Sequence, residues 1–175
     1  MDTKTFDFGN GPVPAHQHPN GGGWVADTAT VSGTAHVGPN ARVYGNAVVT
    51  DYARVYGNAW VSDYAKVFDD AWVYGNVRVY GHAVVSGDAA VSVNAWVSGR
   101  AMVSGNAMVS GNARVYGNAV AFGNAEVYGN AMVFEDAKVF GKSMVEGTAV
   151  VNGDAEVYGD AYDSGSILLS ENYKR

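Results

Sequence analysis

The chain has 175 residues, 47% of them hydrophobic, which is enough for one domain with a real core and excludes a disordered protein. The formal net charge of −6 disfavours nucleic acid as a partner, because a phosphate backbone attracts basic surfaces. There is no cysteine, so disulfides, thiolate metal ligands and a cysteine nucleophile are excluded. We find no apolar run of signal-peptide or membrane-span length, which predicts a cytoplasmic protein without membrane contacts.

The N-terminal segment, residues 1–23, lies outside any repeat. It contains Pro12, Pro14 and Pro19, so we predict an extended arm without a regular strand or helix. The arm also carries His16 and His18, the weak candidates for metal ligands in this chain. Two histidines in a proline-rich arm are usually just solvated polar residues, and we predict neither a metal site nor a cofactor.

A six-residue repeat fills residues 24–165. Every sixth residue from Val25 to Val157 is Val, with Ala121 as the one exception, and two positions before these valines the chain carries Ala almost throughout. The unit is Ala-x-Val-x-Gly-Asn, as in residues 41–46. No insertion interrupts it.

A period of six fits the two-residue period of a strand and not the 3.6-residue period of a helix, so Ala and Val share one side of a short strand. Gly followed by Asn marks a corner, because both residues tolerate left-handed backbone. Such short strands cannot bury a face alone and must stack coil upon coil. The pattern therefore predicts an all-β, single-domain parallel β-solenoid with Val and Ala packed inside.

The aliphatic residue followed four positions later by a small one, as in Val31 to Ala35 and Val43 to Ala47, resembles the hexapeptide-repeat left-handed β-helix family. The resemblance implies three repeats per triangular coil, a left-handed three-sided β-helix and about eight coils. The opening Gly21-Gly22-Gly23-Trp24-Val25 is similar to the entry segment of hexapeptide, polymer-forming repeat proteins of bacteria and their phages. The final segment, residues 166–175, leaves the repeat and is predicted to be a cap or tail.

The outward positions carry the aromatic residues, because Val and Ala occupy the inward ones. Read at every third repeat, the residue before Val alternates between Trp and Arg, and the residue after Val alternates between a small residue and Tyr. A monomer would leave this apolar area exposed, so we predict a binding face. Its residues are Trp24, Arg42, Tyr44, Trp60, Arg78, Tyr80, Trp96, Arg114 and Tyr116. The competing interpretation is a face that stacks internally and binds nothing.

The predicted function is therefore a non-enzymatic structural or interaction protein that forms a homo-oligomer, a trimer by the family resemblance, and that also binds a protein partner. The alternative is a hexapeptide-type acyltransferase with a site between subunits. That alternative lacks the extruded loops of such enzymes, and His36 and His82 are read as surface residues rather than a general base. The family precedents of a three-histidine zinc site and of a threonine ice-binding ladder also fit these outward residues poorly.

Overall fold

In the computed structural model the coils of the repeat stack along one axis, and their strands form three parallel sheets. The structure describes residues 4–164 and the backbone of residues 168–169 and 173–174. Each strand of the repeat pairs with the strand three repeats further on, as Val43 does with Val61. One coil therefore contributes one strand to each sheet, and residues 24–163 form about eight coils. The prediction of a three-sided β-solenoid is confirmed. Its left-handedness stays a prediction from the resemblance.

The first face consists of β3 (Trp24–Ala26), β6 (Arg42–Val43), β9 (Trp60–Val61), β12 (Arg78–Val79), β15 (Trp96–Val97), β18 (Arg114–Val115), β21 (Met132–Val133), β24 (Val150–Val151) and β27 (Leu168–Leu169). The second face consists of β4 (Thr30–Val31), β7 (Val48–Val49), β10 (Lys66–Val67), β13 (Val84–Val85), β16 (Met102–Val103), β19 (Val120–Ala121), β22 (Lys138–Val139), β25 (Glu156–Tyr158) and β28 (Tyr173–Lys174). The third face consists of β5 (His36–Val37), β8 (Arg54–Gly57), β11 (Trp72–Gly75), β14 (Ala90–Val91), β17 (Met108–Val109), β20 (Glu126–Val127), β23 (Met144–Val145) and β26 (Tyr162–Asp163). The part of the chain that the structure describes contains no helix, and thus none that could cross a membrane.

The repeated Val and Ala side chains form the interior. From Ala35 to Val157 they are fully shielded from solvent, which confirms the inward assignment. The two departures from the Ala series are also buried. Val77 adds to the apolar core, and the Ser143 hydroxyl donates to the carbonyl oxygens of Phe140 at 2.9 Å and Val157 at 3.2 Å. A polar group in the core is thus tolerated because it is hydrogen-bonded.

The prediction of an arm without regular strands is wrong for residues 5–17. These residues form an antiparallel hairpin of β1 (Thr5–Asp7) and β2 (Pro12–Gln17), and β2 pairs antiparallel with β3 at the start of the first face. The prolines are tolerated because alternate N–H groups of a strand point to opposite sides. On the edge of β2 that faces β1, Ala15 donates its N–H to the Lys4 carbonyl. Pro12 and Pro14 lie at the alternate positions, where an N–H would point away from β1, so their missing N–H groups cost no hydrogen bond to β1. The predicted cap or tail of residues 166–175 lies outside the described residues, except that β27 and β28 continue two of the sheets.

Acidic side chains replace glycine at several corners. Asp51, Asp63, Asp69 and Glu135 have φ angles of 58°, 60°, 60° and 61°, in the left-handed region that the corner requires. The Asp63 carboxylate accepts the N–H of Gly81 at 3.0 Å, one coil further on. Asp69 and Glu135 make the same kind of bond, to Gly87 and Gly153, so these acidic corners link neighbouring coils.

Val93 occupies another of these corners with a φ of 66°, a backbone conformation that β-branched residues strongly disfavour. Its apolar side chain cannot accept an N–H from the next coil as the acidic corner residues do. Its side chain is 50% exposed, so little packing compensates for the strain. Strain of this kind costs about 1–3 kcal/mol, and glycine loses about 0.5–1 kcal/mol in chain entropy. We expect Val93→Gly to raise the free energy of unfolding by about 1 kcal/mol, measured as a higher melting temperature. Val93→Ala, which keeps a Cβ, should gain less; a lower melting temperature for Val93→Gly would contradict the assignment of strain.

Candidate interaction face

Arginine and tryptophan side chains interleave along the outside of the first face. The Arg42 guanidinium carbon lies 5.2 Å from the centre of the Trp60 ring, and Arg78 lies 5.0 Å from Trp60 and 5.1 Å from Trp96. Arg114 continues the series at 5.0 Å from Trp96. These distances are in the range of cation–π attraction, so each ring and each guanidinium is held in place by its neighbours along the axis.

A second outward column runs beside the first and alternates in size. Tyr44 meets the Trp60 ring edge to face at 6.3 Å and 73°, and Tyr80 meets Trp96 at 6.5 Å and 75°. Between the tyrosines lie small residues, Ser62 and Ser98. The surface therefore has a depression at each serine, bounded by aromatic rings. Together the two columns make up the tryptophan–arginine face, defined by the nine residues predicted from the sequence.

The asparagines at one edge of this face are rigidly ordered. Each of the first four donates its amide N–H to the amide oxygen of the asparagine one coil further on, at distances of 3.0, 3.0, 3.2 and 3.0 Å. The ladder consists of Asn58, Asn76, Asn94, Asn112 and Asn130. Because Asn58 and Asn76 line a shallow groove with Trp60 and Arg78, the ladder forms a fixed polar rim beside the rings.

Within residues 4–164, no acidic side chain forms an ion pair with the arginines of the face. The ion pairs found among the described residues are His16 with Asp27 at 2.9 Å and Lys138 with Glu156 at 2.8 Å, and neither involves this face. Arg78 and Arg114 are exposed, whereas the neighbouring Trp60 and Trp96 are half-buried. The face therefore presents positive charge and ring edges on a chain whose net charge is negative.

The N-terminal hairpin covers the start of the face, which the sequence did not predict. Phe6 stacks on Trp24 with ring centres 4.6 Å apart, and the Arg42 guanidinium lies 5.3 Å from the Phe6 ring. Phe8 stacks on Tyr44 at 5.0 Å and is buried. The structure thus brings all nine predicted residues onto one face and leaves the part from Trp60 onward uncovered, with Asn10 of the hairpin bordering the depression at Ser62.

A sequence signal for this hairpin was present. Phe6 and Phe8 alternate around one acidic residue, and the turn beyond them contains Asn10-Gly11, a dipeptide typical of hairpins. The Asp7 carboxylate accepts the N–H groups of Gly9 at 2.7 Å and Gly11 at 3.0 Å, which closes the turn.

Each of the four histidines contacts another group of the protein, and His18 and His36 share Asn20 as a partner. The His16 Nδ1 atom is bonded to Asp27, and the buried His18 places its Nδ1 3.2 Å from the Asn20 carbonyl oxygen. His36 contacts the Asn20 side chain at 3.2 Å, and His82 stacks on Tyr64 at 5.0 Å. Within residues 4–164, no group of three side chains is arranged to hold a metal ion.

The other two faces show internal stacking of aromatic rings. On the second face Phe140 lies between Phe122 at 4.8 Å and Tyr158 at 5.2 Å, with nearly parallel rings. On the third face Tyr56 stacks on Tyr74 at 5.0 Å, and Arg54 lies 4.7 Å from Trp72. In these stacks the ring faces are covered by neighbouring coils, as the competing interpretation of the aromatic residues expected.

A hydrogen-bonded cluster closes the third face near its C-terminal end. The Tyr162 hydroxyl donates to Glu146, and the Tyr128 hydroxyl donates to the Met144 sulfur at 3.0 Å. The neighbouring Glu146 carboxylate, followed by burial, raises the pKa of Tyr128 to about 12. Interaction with the hydroxyls of Tyr128 and Tyr162 in turn lowers the pKa of Glu146. Since the folded-state pKa of Tyr128 exceeds its ordinary value of 10.0, the stabilisation is complete below pH 10.0 and is lost as the pH rises through about 12. At neutral pH the cluster is therefore a structural link.

Comparison with known proteins supports the same architecture. A family model described as the YdcK beta solenoid repeat matches residues 41–55, 71–87, 95–111 and 107–123. The matched segments lie in the central coils and overlap most of the tryptophan–arginine face. The chain is thus a β-solenoid repeat protein. The comparisons with curated proteins and with solved structures gave no significant match.

Proposed function

We propose that this protein is a non-enzymatic interaction protein of the left-handed hexapeptide-repeat type, which self-associates and binds a protein partner through its tryptophan–arginine face. The observation that carries the proposal is the run of guanidinium groups without acidic partners, each fixed against tryptophan rings about 5 Å away. Trp, Tyr and Arg are the residue types that dominate interface hot spots. A face already ordered before binding also loses little entropy when a partner covers it.

The charge distribution favours a contact between copies. The net charge of −6 coexists with the exposed Arg78 and Arg114 of this face, so another copy can supply carboxylates to them. Exposed corner residues such as Asp70 and Asp88 carry such carboxylates. By the family resemblance the closed assembly is a trimer.

The paired substitution Trp60→Ser and Trp96→Ser tests this proposal. Truncating a hot-spot residue costs about 2 kcal/mol or more, so each substitution should weaken association by a factor of about 30 or more. We expect the mass measured by light scattering to fall towards that of a single chain, and partner binding to fall with it.

The matched control is Trp72→Ser on the third face, which removes an exposed tryptophan of the same kind and should leave the mass unchanged. The unfolding transition of each variant shows whether the solenoid is intact. An unchanged mass together with undiminished partner binding, in a folded double variant, would refute the proposed interface.

A further inference from the structure

The hairpin shows how an aromatic segment binds to this face. Phe6 lies flat on Trp24 at an interplanar angle of 18°, and the Arg42 guanidinium contacts the Phe6 ring from its position between Phe6 and Trp60. Among the described residues no guanidinium lies in cation–π contact with Trp24, so Phe6 occupies the place that an arginine takes on the other tryptophans. Phe8 fills the adjoining depression against Tyr44 and is only 4% exposed.

The set of residues that holds these two rings recurs twice. We call it an aromatic seat; each seat consists of a Trp, a small residue, an Arg and a Tyr, and each seat begins two coils after the one before it. Seat one is Trp24, Ala26, Arg42 and Tyr44; seat two is Trp60, Ser62, Arg78 and Tyr80; seat three is Trp96, Ser98, Arg114 and Tyr116. Parallel pairing in constant register gives the three seats the same backbone geometry.

Seats two and three are not filled by the hairpin. In seat two the Arg78 guanidinium lies 5.0 Å from Trp60, and in seat three Arg114 lies 5.0 Å from Trp96. An incoming ring would enter between tryptophan and arginine, and the guanidinium would move onto the new ring as Arg42 does on Phe6. One cation–π contact then replaces another, while two aromatic side chains leave water.

We propose that seats two and three bind an extended segment of a partner protein in which two aromatic residues are separated by one residue. The spacing follows from seat one, where Phe6 in β1 and Phe8, the first residue after β1, lie on Trp24 and Tyr44 with their ring centres 4.9 Å apart. This assignment rests on the proposed function and specifies the chemistry of its partner. The hairpin of another copy is a poorer occupant, because pairing of β2 with β3 and burial of Phe8 retain each hairpin on its own chain.

A peptide of residues 4–11 of this chain, Lys-Thr-Phe-Asp-Phe-Gly-Asn-Gly, is the probe. Titration calorimetry with the full chain should give saturable binding at two sites. Trp60→Ser and Trp96→Ser should each remove one site, the double variant should bind at least tenfold more weakly, and Trp72→Ser should keep both sites. A peptide with both phenylalanines replaced by alanine should not bind.

Absence of saturable binding at millimolar peptide, or binding that persists in the folded double variant, would overturn this assignment. The proposed function fails differently. If the double variant loses its assembly or its partner binding although the native chain does not bind the peptide, the face is a protein interface that does not bind aromatic segments. If the peptide fills two sites and the mass of the double variant is unchanged, the seats are real and the self-association is not.

Discussion

Val79→Asp is expected to unfold the protein or to lower its free energy of unfolding by about 4 kcal/mol or more. Val79 lies in β12 between Val61 and Val97 of the neighbouring coils, and none of its surface is accessible to solvent. A carboxylate there would be surrounded by valine and alanine side chains and could reach neither water nor a hydrogen-bond donor of a side chain. The measurement is the melting temperature followed by circular dichroism.

Lys66→Asp is the control for this prediction. It introduces the same carboxylate on β10 of the second face, but at an exposed position, so the expected change is within about 0.5 kcal/mol. Similar losses for Val79→Asp and Lys66→Asp would show that the inward and outward positions of the repeat are assigned wrongly.

Gly99→Ala is expected to lower the free energy of unfolding by about 2–4 kcal/mol, since a left-handed conformation and a steric contact act together. The φ of Gly99 is 69°, and a Cβ at this position would lie 2.8 Å from the carbonyl oxygen of Gly117 in the next coil. The corner could relieve that contact only by moving away from its neighbour and stretching the bond from Arg100 N–H to the same oxygen, now 2.6 Å. Urea denaturation would measure the loss.

Gly33→Ala provides the comparison, because Gly33 has an ordinary φ and nothing lies within 4 Å of a Cβ added there. It should be neutral or slightly stabilising, since alanine restricts the unfolded chain. If both alanine variants melt at the same temperature, close approach between coils does not restrict the corners.

The repeat predicted the solenoid well because its constraints are local and periodic. A spacing of six without insertion fixes which side chains point inward. The alternation of Trp and Arg at every third repeat predicts their contacts along the axis, as observed for Arg78 between Trp60 and Trp96. The handedness of the coil is not encoded in this alternation. An inward valine follows an inward alanine equally in either hand.

The hairpin was missed because the local signals conflict: Asn10-Gly11 is typical of a hairpin turn, whereas the prolines that follow argue against a strand. Pro12 and Pro14 argue against a strand when read alone, yet β2 forms because its hydrogen bonds to β1 use the intervening residues. The position of Phe6 and Phe8 on the face depends in turn on Trp24 and Tyr44, which are distant in the sequence. For the same reason the sequence could not show that only part of the tryptophan–arginine face is free.

The constant offset of three repeats between paired strands has a mechanical consequence. The backbone hydrogen bonds between coils run along the axis. A force that pulls the two ends of the solenoid apart along this axis therefore breaks the bonds of the outermost coil first and then those of each following coil in turn. Each coil that peels away releases about 60 Å of extended chain in place of about 4.8 Å of stacked height. The solenoid is therefore built to yield under tension in nearly equal steps, with the cross-linking carboxylate corners as the places where a step should require more force.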